Sequence, residues 1–203
     1  MKKRIVIFAS GSGTNTQNLI QYFQQGEVAE VVLVLSNKKD AKVLERAKNL
    51  NVKSLHFVKD ALFSENGVLK ILQEVQPNLI VLAGFLLKFP EVILKEFPHK
   101  VINIHPALLP KYGGKGMYGR HVHEAVVANM ERETGITVHY VNEHYDEGAV
   151  IFQKSVSLSE EDTPQTVAQK VQQLEYVHFP KVIEELLLNP KTHSATHSPP
   201  KHG

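Results

Sequence analysis

Three short runs in the first half of the chain are apolar without interruption: IVIFA at residues 5–9, VVLVL at 31–35 and LIVLA at 79–83. A strand with one wet face alternates apolar and polar residues. A strand covered on both faces need not, and that second case is the parallel sheet with helices packed above and below it. The runs predict strands over 4–9, 31–35 and 79–83, with helices over 16–25, 41–49, 64–75 and 90–96 between and after them. Alternation of this kind argues for an open α/β fold. Strands over 101–104, 137–141 and 150–156 follow, the last two as an antiparallel-looking pair, with a helix over 120–129. A long helix is expected from Thr163 to about Leu188, because Thr163-Pro164 supplies a cap and then a proline in the first turn. The expected fold is therefore α/β: an open, mostly parallel twisted sheet flanked by helices, partly antiparallel toward its C-terminal strands, closed by a long helix. Residues 1–188 read as a single domain. Residues 189–203, rich in Pro, Ser, His and Lys, read as a disordered tail.

A chain of 203 residues has ample length for a real core. Its formal charge of +2 implies no strong pull toward nucleic acid or membrane. The apolar run near the start is too short for a signal peptide and flows into a glycine loop, and no membrane-length apolar stretch follows. With no cysteine, disulfides, thiolate nucleophiles and cysteine-based zinc sites are excluded, which fits a cytoplasmic protein. No metal is expected: there is no HExxH, and His121 and His123, two apart on a helix, do not share a face.

Two places carry chemistry. The first is SGSGTNTQNLI, after the first strand and opening a helix. Glycines let backbone approach an anion, and unpaired amides at a helix start point at it, so Gly11, Ser12, Gly13, Thr14 and Asn15 are candidates to hold a phosphate or carboxylate. The dinucleotide fingerprint would need glycine at Thr16 and an acid at the end of the second strand, where Ser36 and Asn37 stand; the P-loop signature is absent. A mononucleotide-like phosphate is favoured over a dinucleotide or ATP, and spacing alone does not separate an anion site from a plain structural turn. The second place is the strand end at Asn103 and His105. Ligands collect at the carboxyl ends of strands in such sheets, and residues two apart on a strand face the same way. An amide and an imidazole there could hold a carbonyl oxygen as it becomes an oxyanion. Pro106 ends the strand. A histidine in this role needs an orienting carboxylate, and Glu143, Asp146 and Glu147 are the candidates; spacing does not choose among them. His139 alternates within its strand and reads as structural. Glu175 and His178 lie on the last helix and could face core or cleft.

These residues carry a resemblance. SGSGTN near the start, SNK at 36–38, LAGF at 82–85, NIHPALLPKY at 103–112 and YDEGAVI at 145–151 resemble, in order and over nearly the whole chain to about Leu188, the phosphoribosylglycinamide (glycinamide ribonucleotide) formyltransferases of the folate-dependent formyltransferase superfamily. NIHPxLLP is highly specific for the superfamily. The resemblance implies transfer of the formyl group of 10-formyltetrahydrofolate, as co-substrate, to the amine of glycinamide ribonucleotide. It implies a catalytic trio at Asn103, His105 and Asp146, a phosphate loop at Gly11 to Asn15 with Pro106 also on the substrate side, and a carboxylate near the ribose at Glu175. On the folate side it implies Leu86, Leu87, Lys88 and Phe89, then Val141 and Tyr145 in the pterin loop, with Asn103 between the two substrates. In the implied reaction the neutral amine attacks the formyl carbon, Asn103 and protonated His105 bind the oxyanion, and Asp146 holds His105 charged. Two features depart from the common pattern: Leu86-Leu87 stands where many members have Met-Arg, and GGKGMYGRHVH is longer than the usual loop and expected to close over the site.

Rival readings are a formyltetrahydrofolate hydrolase, another formyltransferase of the superfamily, and a non-catalytic nucleotide-binding module. The two enzyme relatives that carry an extra domain, C-terminal for tRNA or N-terminal for regulation, are expected to be excluded by the extent of the chain. The expected partners are the two small-molecule substrates, with no nucleic acid and no membrane, in a monomer or weak homodimer.

Overall fold

The computed structural model describes residues 1–189. Its strands are β1 (Lys3–Phe8), β2 (Ala29–Ser36), β3 (Ser54–His56), β4 (Leu79–Leu82), β5 (Val101–His105), β6 (Glu133–Tyr140) and β7 (Val150–Ser157). They form one sheet in the order β3-β2-β1-β4-β5-β6-β7. β3, β2, β1, β4 and β5 run parallel, β6 pairs antiparallel with β5, and β7 pairs antiparallel with β6. The expected mostly parallel sheet with antiparallel C-terminal strands is what forms.

The uninterrupted apolar runs are explained by two cores. Ile5 and Ile7 of β1 face one, Val6 and Phe8 the other, all four fully buried. Helices α1 (Thr14–Gln24), α2 (Lys42–Asn49), α6 (Arg120–Ala128) and α7 (Pro164–Leu188) cover the first face through Leu19, Val43, Val122 and Phe179. Helices α3 (Lys59–Phe63), α4 (Lys70–Val75) and α5 (Glu91–Glu96) cover the second through Leu62, Leu72 and Ile93.

Helix α7 begins as its sequence predicts. Thr163 Oγ1 accepts the Thr166 N–H, Thr166 Oγ1 accepts the Thr163 N–H, and Pro164 occupies the first turn. Pro180 lies inside the same helix and has no N–H to give the carbonyl four residues back, at Tyr176. The Asn18 side chain donates to that carbonyl instead, at 3.1 Å, and so ties α1 to α7. Asn189 caps the helix, its N–H on the Glu185 carbonyl at 2.9 Å. The rest of the stretch read as a disordered tail lies outside the described residues. Among the described residues, no helix is long and apolar enough to cross a membrane.

The structure departs from expectation in four places. β3 was not anticipated: it is three residues of half-exposed edge, too short for any periodicity to show. The segment expected as one helix over 64–75 is instead a π-type turn Glu65–Leu69 followed by α4, and the short α3 just before it was not expected. Gly67 sits at the break with non-helical φ −101° and ψ −122°, and a Cβ there would overlap the Ala61 carbonyl oxygen. α1 starts two residues earlier than 16, because Gly13 turns the chain into it. β6 starts at Glu133, since Thr134 and Ile136 are buried against β7 and the core.

Candidate active site

The strand order reverses at β1. The chain leaves β1 for β2 on one side, and β4 returns on the other, so the loops after β1 and β4 part and leave a crevice at their carboxyl ends. Ser10 holds the crevice in shape. Its hydroxyl donates to Asn37 Oδ1 at 2.6 Å and accepts the Leu86 N–H at 3.0 Å, while its own N–H goes to the Gly84 carbonyl at 3.0 Å. The cavity that opens here measures about 740 Å³, a size that suits a small organic ligand.

One end of the cavity is the glycine loop. Gly11, Ser12, Gly13, Thr14 and Asn15 all line it. Gly13 adopts φ 73°, in the left-handed region, and a Cβ there would collide with Val43. No side chain caps α1, so its first amides are left for a ligand. The loop is braced from outside: Val43 N–H donates to the Gly11 carbonyl, and Arg46 Nε donates to the Ser12 carbonyl. Asn15 Nδ2 donates to Glu175 Oε2 at 2.9 Å across the cavity, but Asn15 Oδ1 is buried with no partner. Burial pushes the Glu175 carboxyl up to about 7, against the downward pull of the Asn15 amide. This end therefore offers backbone amides, an unmet acceptor and a carboxyl that is half protonated near neutrality. Lys38 and Lys115 also line the cavity and add positive charge.

The other end is built around β5. Asn103, His105 and Pro106 line the cavity, and His105 is only 3% exposed. Of the three acidic candidates, the fold brings in Asp146: Oδ2 lies 3.6 Å from His105 Nδ1, and Oδ1 lies 3.5 Å from Asn103 Nδ2. Asp146 occupies the left-handed region, φ 56°, which Asp tolerates better than most residues, and the Gly114 N–H donates to its Oδ2 at 3.0 Å. Glu143 and Glu147 point to solvent, Glu143 beside His144.

The cluster has a fourth member. The register of β5 against β6 sets His139 opposite Asn103. His139 Nδ1 faces the Tyr140 carbonyl at 2.9 Å, and a carbonyl can only accept, so the proton of the neutral ring sits there. Nε2 is then the acceptor for Asn103 Nδ2, at 3.0 Å. His139, read from the sequence as structural, orients the Asn103 amide; the only signal for it was the register, which sequence spacing does not contain.

The electrostatic balance differs from the expected one. Burial lowers the His105 pKa by more than the neighbouring Asp146 charge and the Tyr112 carbonyl raise it. In the ligand-free protein the imidazole is thus biased toward neutral rather than held charged. By the same carbonyl argument its proton sits on Nε2, donated to Tyr112 O at 2.7 Å. Burial pushes the Asp146 carboxyl up, but His139, His105 and the Gly114 amide together hold it below the usual carboxylate range.

The remaining candidates divide. Leu86 and Tyr145 line the cavity. Leu87, Lys88, Phe89 and Val141 are not part of its lining: Phe89 turns inward, edge-on to Phe8 at 5.2 Å, Leu87 and Val141 pack against the same core, and Lys88 is exposed. His178 lies against Phe152 and not in the cleft. The glycine-rich stretch contributes Gly114 to Gly119 to one wall.

The family model described as formyl transferase matches residues 3–183. The chain is 36% identical over 189 residues to the chloroplastic phosphoribosylglycinamide formyltransferase of Arabidopsis thaliana, covering 90% of this chain and 64% of that one. It is 33% identical over 190 residues to phosphoribosylglycinamide formyltransferase of Bacillus subtilis, covering 91% of this chain and 95% of that one. The crystal structure of glycinamide ribonucleotide transformylase 1 from Symbiobacterium toebii superposes with a TM-score of 0.84 at 30% identity, covering 93% and 89% of the two chains.

Proposed function

Because the chain belongs to the formyl transferase family, we propose that it moves the formyl group of 10-formyltetrahydrofolate onto the amine of glycinamide ribonucleotide, with residues 1–188 acting as one catalytic domain. The observation that carries this reading is one cavity with an uncapped helix start at one end and a clustered amide, buried imidazole and carboxylate at the other. Glycinamide ribonucleotide carries a phosphate for the first end and an amine for the second. The freedom from cysteine supports a reducing, cytoplasm-like setting.

Attack of the amine lone pair on the formyl carbon drives the carbonyl pair onto oxygen. The Asn103 hydrogen held only loosely by Asp146, at 3.5 Å, is the donor nearest to hand for that oxyanion. One such donor is worth about 3 kcal/mol in the transition state. His105 becomes a second donor when the Tyr112 carbonyl releases Nε2, which ties catalysis to movement of the loop that Tyr112 begins. The growing negative charge, added to that of Asp146, opposes the effect of burial and favours the charged imidazole at the moment it is needed. Limited proteolysis with both ligands present should protect residues 113–119; equal cleavage with and without them removes the loop from the mechanism.

The deciding assay follows tetrahydrofolate release by absorbance. Release that depends on glycinamide ribonucleotide supports the transferase, equal release without it supports a hydrolase, and none supports a nucleotide-binding module.

A further inference from the structure

The reaction just described requires the attacking nitrogen to lose a proton, and most acid–base groups around the cavity are already engaged. Asp146 Oδ2 takes the Gly114 amide and faces His105, and its Oδ1 faces Asn103 and His139. His105 gives Nε2–H to Tyr112 and turns Nδ1 to Asp146. Glu175 is paired with Asn15 at the far, anion-binding end. One group is left. His123 lines the cavity from α6, is 7% exposed, and its Nδ1 is buried with no hydrogen-bond partner. A buried ring nitrogen without a partner costs free energy on the order of 1–3 kcal/mol, so its position calls for a ligand or a water that completes it.

Resting on the formyl-transfer reading above, we propose that His123 is the base that accepts the proton of the attacking amine at Nδ1, directly or through one bridging water. The amine pair forms the new N–C bond as the carbonyl pair moves to oxygen, and the ammonium proton passes to His123. The oxyanion pair then restores the carbonyl, the bond from carbon to the folate nitrogen breaks with its electrons on nitrogen, and that nitrogen takes the proton back. Formyl group and hydrogen change places, and no oxidant or outside proton is consumed. The ring is suited to the step. Burial and the neighbouring His105 lower its pKa, which favours the neutral ring, and it lines the same cavity as Asn103, His105 and Asp146. The sequence singled out His123 only to reject a zinc pair with His121, since residues two apart on a helix do not share a face; the packing of α6 is what turns His123 inward and leaves His121 exposed beside Glu124.

The test compares steady-state tetrahydrofolate release by unaltered protein, His123→Ala and His123→Gln, each checked for folding by circular dichroism. Both variants should lose about a hundredfold in kcat, with KM for either substrate moving less than about threefold. Imidazole added to the assay should restore turnover to His123→Ala in proportion to its concentration. It should do nothing for His123→Gln, whose side chain fills the space. His123→Gln guards against a misfolded alanine variant, because it keeps the volume without the base. Full activity of His123→Gln, or an alanine variant that imidazole does not restore, overturns the assignment alone. Absence of ribonucleotide-dependent release from unaltered protein overturns the formyl-transfer reading and this inference together.

Discussion

The two ends of the cavity are made differently. The glycine-loop end comes mainly from five consecutive residues, Gly11 to Asn15, and works through backbone amides that the Gly13 turn aims. The reacting end is assembled from side chains far apart in the chain: Asn103 meets Asp146 across 43 positions and His139 across 36. A backbone site is set by local conformation and needs no particular protonation state. A side-chain cluster depends on sheet register for its geometry and on a balance of burial against charge for its chemistry. Substitutions should therefore separate the two ends.

The largest separation should come from His105→Ala. Its kcat should fall by about a hundredfold or more, with ribonucleotide affinity, measured by calorimetry, nearly unchanged. Loss of affinity of the same size would mean that the ends are not independent. Next is Glu175→Gln. The Glu175 carboxyl goes from an ordinary value of 4.5 to about 7 in the folded protein, so its contribution to stability is full below pH 4.5 and is lost as pH rises through 7. By linkage the loss is about 3 kcal/mol. Glu175→Gln, which keeps an acceptor for Asn15 but cannot ionise, should be the more stable protein at pH 8 by about that amount, with the gap closing toward pH 4. Parallel denaturation curves at both pH values would show that Glu175 is not the buried acid described.

A side chain at position 13 should act on the loop alone. Gly13→Val adds strain of about 1–3 kcal/mol at a positive φ and presses on Val43, which converts to a roughly 10- to 100-fold weaker ribonucleotide affinity. Folate affinity should stay constant, and an equal loss in both would locate the damage in the fold. The smallest effect is expected of Asp146→Asn, a residue type that accepts φ 56° equally well. Removing the charge lets burial lower the His105 pKa further, so the high-pH limb of the rate profile should move to lower pH, with a lower maximum. An unmoved profile removes Asp146 from control of His105.

Much of the architecture was legible in the chain. Continuous apolar runs require two covered faces, which makes the parallel sheet and its flanking helices nearly unavoidable, and Thr163-Pro164 marked the start of α7 correctly. Gly67 shows where local reading stops. The segment looks helical by pattern, but the close approach of the Ala61 carbonyl imposes a break that only the packed structure contains. The carboxylate beside His105 is a similar case, since Glu143, Asp146 and Glu147 are equivalent in spacing and differ only in which way the turn faces.

What the residues determined alone is whatever depends on neighbours in the chain: strand character, the glycine turn into α1, the cap of α7, and an amide and imidazole two apart at a strand end. What the tertiary structure decided is everything that depends on distance across the sheet: the pairing of His139 with Asn103, the choice of Asp146, the isolation of His123 and the neutral bias of His105. The reason is physical. Backbone preferences act over a few residues, whereas burial and Coulomb interaction depend on separation in space, which the sequence leaves open until the strands are in register.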